Sequence, residues 1–145
     1  MPDMWYEPEV YVQLDEGAYM PERQHPTDAG ADIRTPYAFV LPAKSARTVD
    51  TGVHVQLPPR TKCDVRSKSG LHINHDIITD GLVDEGFSGS IKVRLHNLGP
   101  VPYHFHKGDK IAQIVVSPVW YASFREVDAV VGGERGDAGY GSTGR

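Results

Sequence analysis

Cysteine is nearly absent: Cys63 is the only one, so the chain can form neither an internal disulfide nor a cysteine-based zinc site. It falls in "RTKCDV", a strand-like run where a packed and inert thiol is the expectation. Long apolar runs are missing as well, and nothing resembles a secretory signal, which argues for a soluble, cytoplasmic protein with no membrane attachment. A basic surplus is also lacking. Fifteen Lys and Arg face 19 Asp and Glu, for a formal net charge of −4. A stable grip on nucleic acid would want the opposite balance, whereas a small anion needs only a local positive cluster. No long stretch has clean helical spacing, and there is no repeat or low-complexity tract.

Short alternating runs are plentiful. Val10, Val12 and Leu14 share one face of "VYVQL", and Val53, Val55 and Leu57 do the same in "VHVQL". In "IKVRLHNL", Ile91, Val93 and Leu95 oppose Lys92, Arg94 and His96. "IAQIVVSPVW" and "SFREVDAVV" add further strand-like sequence. Turn signals separate these runs: "LPPRTK", "TDGL", "GFSGS", "NLGPVP" and "HKGDK". Eleven prolines and 15 glycines are spread throughout, so the pattern predicts an all-β sandwich or jelly roll. One short helix is expected near "SKSGLHINHD", with Ser69 as its cap and Gly70 weakening it. The 145 residues suggest a single domain, an all-β core over 1–132. "VGGERG" reads as a hinge to a flexible, glycine-rich arm over 133–145.

That arm closes as "RGDAGYGSTGR". A glycine-rich end is ordinarily a frayed tail, because glycine loses the most freedom on ordering. Here the glycines are joined by Arg135, Tyr140, Ser142 and Thr143. A charged fork, a flat ring and hydroxyls among close-approaching peptide groups suit a nucleotide. It is not a Walker A loop, since no Gly-Lys-Ser/Thr occurs.

Four other stretches combine glycine with charge: "TDAGADI" (27–33), "RSKSGL" (66–71), "GLVDEGFSG" (81–89) and "KGDKIAQ" (107–113). Each alone reads as an ordinary loop, cap or turn. Together they supply acidic groups for a divalent cation, a Lys/Ser/Gly loop for phosphate, a hairpin with a carboxylate at its end, and an aromatic arm.

In this order the five stretches resemble the five motifs of the trimeric dUTPases, over nearly the whole chain. The resemblance implies a jelly-roll-like β-barrel or sandwich with at most one short helix. The implied reaction is Mg-assisted attack of water on the α-phosphorus of dUTP, yielding dUMP and pyrophosphate. This keeps uracil out of DNA and supplies dUMP for thymidylate synthesis. The resemblance further implies that Asp84 is the catalytic carboxylate and that Asp32 meets Mg2+ through water. Lys68, Ser69 and Gly70 would hold phosphate, with Lys68 where the family usually has arginine; Arg66 is the alternative. Phe87, in place of the usual tyrosine, would pack on the deoxyribose. Ile78, Gly81, Leu82, Val83 and Lys92 would surround uracil, and Gln113 would support the phosphate loop. Arg135, Tyr140, Gly141, Ser142 and Thr143 would close over the nucleotide, with Tyr140 stacked on the base. The family also implies a homotrimer whose active sites are shared between subunits, in a bacterial or phage-infected cell.

Two alternatives remain at this level. A dCTP deaminase of the same scaffold would want a glutamate on the strand after the hairpin, and "IKVRLHNL" has none. A non-catalytic nucleotide-sensing trimer is the other. His72 with His75, and His104 with His106, have metal-like spacing, but further zinc ligands cannot be placed and structural histidines are expected.

Overall fold

A computed structural model describes residues 7–141. Eleven strands and one helix follow in order: β1 (Tyr11–Leu14), β2 (Ala31–Arg34), β3 (Phe39–Leu41), β4 (Ser45–Asp50), β5 (Val53–Gln56), β6 (Thr61–Arg66), α1 (Ser69–His75), β7 (Ile77–Ile78), β8 (Asp80–Val83), β9 (Lys92–Asn97), β10 (Tyr103–Phe105) and β11 (Lys110–Pro118). The larger sheets run β2-β11-β6-β8 and β4-β9-β7, joined by the pairs β1-β5 and β10-β3. The named strand pairs are antiparallel. Among the described residues this is an all-β, sandwich-like architecture without a closed barrel.

Alternation explains the layering. Along β9, Val93, Leu95 and Asn97 are buried while Lys92 and Arg94 face outward. Along β6, Thr61, Cys63 and Val65 are the buried set. These faces join Ile33, Leu41, Val49, Val53, Ile77, Ile91 and Ile111 in one core cluster. Full burial of each such aliphatic side chain contributes about 1.5–3 kcal/mol before entropy is counted. Asn97 is buried without cost because every polar atom is used. Its amide nitrogen donates to the Leu41 and Val101 carbonyls at 3.1 and 2.9 Å, and its oxygen accepts from the Gly99 N–H at 2.9 Å. Cys63 is packed as expected; burial, then nearby Asp64, pushes its thiol up to about 11.

Four expectations change. "TDGL" is not a turn: the chain runs extended through Thr79 and transfers from the β7 sheet to the β8 sheet. Ser67 makes this possible, its hydroxyl accepting from the Thr79 N–H and donating to the Thr79 carbonyl, both at 2.9 Å. Ser69 does not cap α1. Lys68 holds the N-cap position without a side-chain cap bond, and Asp76 closes the helix in the left-handed region. Leu14 stays exposed at the end of β1. "SFREVDAVV" forms no strand, because no strand among the described residues lies alongside it and its side chains remain exposed.

Candidate active site

The β8 edge and the loop after it build the first half of the site. Among the described residues β8 pairs with β6 on one side only, so its outer edge presents unpaired peptide groups. The chain leaves β8 at Asp84 and turns at once, the Phe87 N–H donating to the Asp84 carbonyl at 3.1 Å. Phe87 then folds over Gly89, where a side-chain carbon would lie 2.6 Å from the ring, so any larger residue there would push the ring aside. The returning chain is pinned by the Ile91 N–H to the Val53 carbonyl at 2.8 Å and the Thr51 N–H to the Ile91 carbonyl at 3.1 Å. The result is a pocket of about 450 Å³ lined by Val65, Gly81, Leu82, Val83, Asp84, Phe87, Ser90, Ile91 and Lys92. Its walls are largely apolar. Asp84 and Lys92 supply opposite charges, and the strand edge supplies donors and acceptors in fixed positions.

The second half is a charged cluster carried by β2, β11 and the β6–α1 connection. β11 lies between β2 and β6 and sets Gln113 opposite both Asp32 and Arg66. Gln113 donates to the Ser67 carbonyl at 2.9 Å, bracing the segment that leads into Lys68. Gly30 lets it pass: an added carbon there would stand 2.2 Å from the Gln113 side-chain oxygen. Asp32, 4% exposed, receives the Lys68 ammonium at 2.5 Å on one oxygen and the Lys110 ammonium at 3.1 Å on the other. Burial opposes ionisation of Asp32, but the hydrogen bonds and charges of the two lysines outweigh it and hold the carboxyl below its ordinary range. Two cations on one anion leave the cluster net positive. No side chain caps the first turn of α1, so its leading N–H groups are open to an incoming acceptor.

Of the residues singled out from the sequence, Gly81, Leu82, Val83, Asp84, Phe87 and Lys92 gather at the pocket. Lys68, Asp32 and Gln113 gather at the charged cluster, with Ser69 and Gly70 opening α1 beside it. Ile78 does neither; it lies on β7, paired with His96. Arg66 ends β6 with its side chain exposed. Arg135, Tyr140 and Gly141 are not brought to either group, and the Tyr140 ring is fully exposed. Ser142 and Thr143 lie outside the described residues. Sequence reasoning missed Val65, Ser90 and Ile91 as pocket walls, and Lys110 as the second partner of Asp32. Lys110 sits inside "KGDKIAQ", and only its charge marked it out.

Among the described residues no three His, Cys, Asp or Glu side chains meet to cage a metal. Asp32 stands as a lone carboxylate, with two of its roughly four acceptor positions taken by lysine. That donor set suits a cation that arrives hydrated on its own phosphates and needs one outer-sphere acceptor, not a cation bound by protein alone.

Comparison with known proteins shows the family and the fold. The sequence model of the dUTPase family matches residues 16–144. The deoxyuridine 5'-triphosphate nucleotidohydrolase of Clostridium acetobutylicum is 37% identical over 135 residues, covering 91% of this chain and 93% of that one. The corresponding protein of Thermobifida fusca is 40% identical over 136 residues, covering 91% of this chain and 76% of its own. Among solved structures, a mutant dUTPase of Staphylococcus bacteriophage 80alpha with dUpNHpp superposes with a TM-score of 0.90 at 26% identity, over 96% of this chain and 100% of that one. A mutant dUTPase from phage phi11 of S. aureus, described with a structural Mg(II) ion, matches with a TM-score of 0.77 at 27% identity, over 84% and 98%.

Proposed function

The chain belongs to the dUTPase family and hydrolyses dUTP to dUMP and pyrophosphate, and from that premise we propose how its residues divide the work. Asp84 is the general base. Its carboxylate, at the mouth of the pocket, orients a water and takes its proton as the oxygen attacks the α-phosphorus. The bond from that phosphorus to the bridging oxygen breaks, and pyrophosphate departs with the electron pair. Positioning and charge stabilisation account for most of the acceleration.

Uracil pairs with the open edge of β8 at Gly81–Val83, where fixed peptide donors and acceptors leave cytosine mismatched and buried groups unpaired. Lys92 borders the same pocket. Phe87 packs on the deoxyribose and crowds out a 2'-hydroxyl. Lys68, Ser69, Gly70 and the brace at Gln113 receive the phosphates, and Lys110 adds a second cation beside them. Asp32 would hold Mg2+ through water, and the ion, when bound with the triphosphate, would supply neutralisation of part of the phosphate charge. Residues 133–145 form an arm distinct from the 1–132 core. Its Arg135, Tyr140 and Gly141, with Ser142 and Thr143, complete the pocket of a neighbouring subunit in a homotrimer. The reaction belongs in the cytoplasm, where deoxynucleotides are made.

The observation that carries this reading is the pocket itself: an apolar slot with an unpaired strand edge and Asp84 at its lip. The test is Asp84→Asn with dUTP and Mg2+. Binding should persist within about threefold while pyrophosphate release falls at least about 10³-fold, the loss of a general base and water-positioning group. Near-normal turnover would remove Asp84 from its role.

A further inference from the structure

The tip of the β8–β9 loop is held from below by His54 on β5. One ring nitrogen, Nδ1, lies 2.8 Å from the Ser88 carbonyl oxygen; the other, Nε2, lies 3.0 Å from the Asp15 carboxylate. Both partners can only accept. A neutral imidazole has a single N–H and would leave one of these contacts without a proton, whereas the imidazolium donates to both. The titratable and charged groups facing the ring are Asp15, at the end of the β1 side, and Asp50, at the end of β4. Lys92 stands opposite Asp50 in the β4–β9 register. Asp50 in turn accepts from the Gly52 N–H at 3.1 Å and from the Ser90 hydroxyl, so the tip is tied down on both sides of Gly89. Phe87 precedes Ser88 directly and folds onto Gly89, so movement of the Ser88 carbonyl moves the ring that walls the pocket.

We propose that His54 is a pH-sensitive positioning residue: as imidazolium it latches the Phe87–Ser90 tip through Ser88, with Asp15 as its second acceptor, and fixes the wall against which the substrate sugar packs, and on deprotonation, with one N–H left for two acceptors, it loosens that wall. The consequence for substrate rests on Phe87 contacting the deoxyribose; the latch itself rests only on the contacts of His54. The Ser88 carbonyl first, and the Asp15 carboxylate second, raise the His54 pKa above its ordinary 6.5. A raised folded-state value means the latch is complete below that ordinary value and is lost as pH rises through the folded one.

The experiment follows deuterium exchange at Phe87–Ser90, corrected for intrinsic rates, from about pH 6 to about pH 8.5, where histidine titrates. Wild type should lose protection about fivefold across that range, as expected for the loss of one ordinary exposed hydrogen bond. His54→Asn, whose amide donates to Ser88 without titrating, should stay flat, and Asp15→Asn should move the midpoint down. In parallel, the KM of wild type for dUTP should rise with pH relative to His54→Asn while kcat does not diverge. Parallel exchange curves for wild type and His54→Asn would overturn the latch. If exchange followed His54 while the KM ratio stayed constant, the positioning role would fall. An unchanged KM in Phe87→Ala would instead remove Phe87 from the sugar and leave the exchange result standing.

Discussion

Asp32 shows how one residue can serve fold and chemistry together. Both of its oxygens are engaged by ammonium groups that themselves remain partly exposed. Asp32→Asn would keep the shape and leave two neighbouring cations without their anion. The expected cost is about 1–3 kcal/mol of stability, less than for a fully buried pair because both lysines reach solvent. Urea unfolding at neutral pH measures it. The carboxyl is held below its ordinary range, so its contribution is complete above the unfolded value and disappears as pH falls through the folded one. The gap between wild type and Asp32→Asn should therefore close on acidification, and a gap that persisted at the acid end would disconnect the loss from this carboxylate. Lys68 could be singled out as a charged residue from its Lys-Ser-Gly-Leu setting. Its tie to Asp32, and the second tie from Lys110, were not, because nothing local in "KGDKIAQ" records a partner on β2.

At the scale of elements, the loop after β8 and the chain that follows β11 are coupled by a small surface clamp. Glu85, next to Asp84, accepts from the Arg60 N–H at 2.7 Å and from the Tyr121 hydroxyl at 2.6 Å. Arg60 is itself in the left-handed region, at φ 63°, an uncommon conformation for a side-chain-bearing residue. Its carbonyl receives the Val119 N–H at 2.9 Å, and its guanidinium lies 5.7 Å from the centre of the Tyr121 ring. The Tyr121 hydroxyl first, then the Arg60 N–H, holds the Glu85 carboxyl below its usual range. Glu85→Ala should therefore leave the melting temperature nearly unchanged, since the clamp is exposed, yet increase exchange at Val119 and lower kcat about two- to fivefold, through looser placement of Asp84. Unchanged exchange at Val119 would show that the clamp does not hold the chain after β11. The same scale separates legible elements from illegible ones. β9 could be read from "IKVRLHNL" because burial there alternates residue by residue. "TDGL" misled because Asp-Gly is a strong turn signal, and Ser67, from a distant segment, overrides it by bonding both peptide groups of Thr79.

For the whole molecule, the telling feature is apolar surface left uncovered by the described residues. Trp120, Phe124, Val130 and Val131 are 81, 97, 88 and 101% exposed, along the stretch that looked like a strand from sequence. Strand propensity expresses packing against a neighbour, and among the described residues there is none. A homotrimer would supply it, and would also give the arm a pocket to close, since Arg135, Tyr140 and Gly141 meet neither half of their own chain's site. Truncation after Gly133 separates these two jobs. It keeps the exposed apolar stretch and removes Arg135, Tyr140 and Gly141 with the residues that follow. The shortened chain should remain trimeric by light scattering and bind dUTP weakly, while kcat/KM falls about 100-fold or more for want of a lid that excludes water. Mixing it with full-length Asp84→Asn sharpens the test. If lid and base come from different subunits, hybrid trimers contain sites that pair a complete arm with an intact Asp84, and activity should recover above that of either parent. If both come from one chain, no hybrid site is whole, and the mixture should stay as inactive as its components.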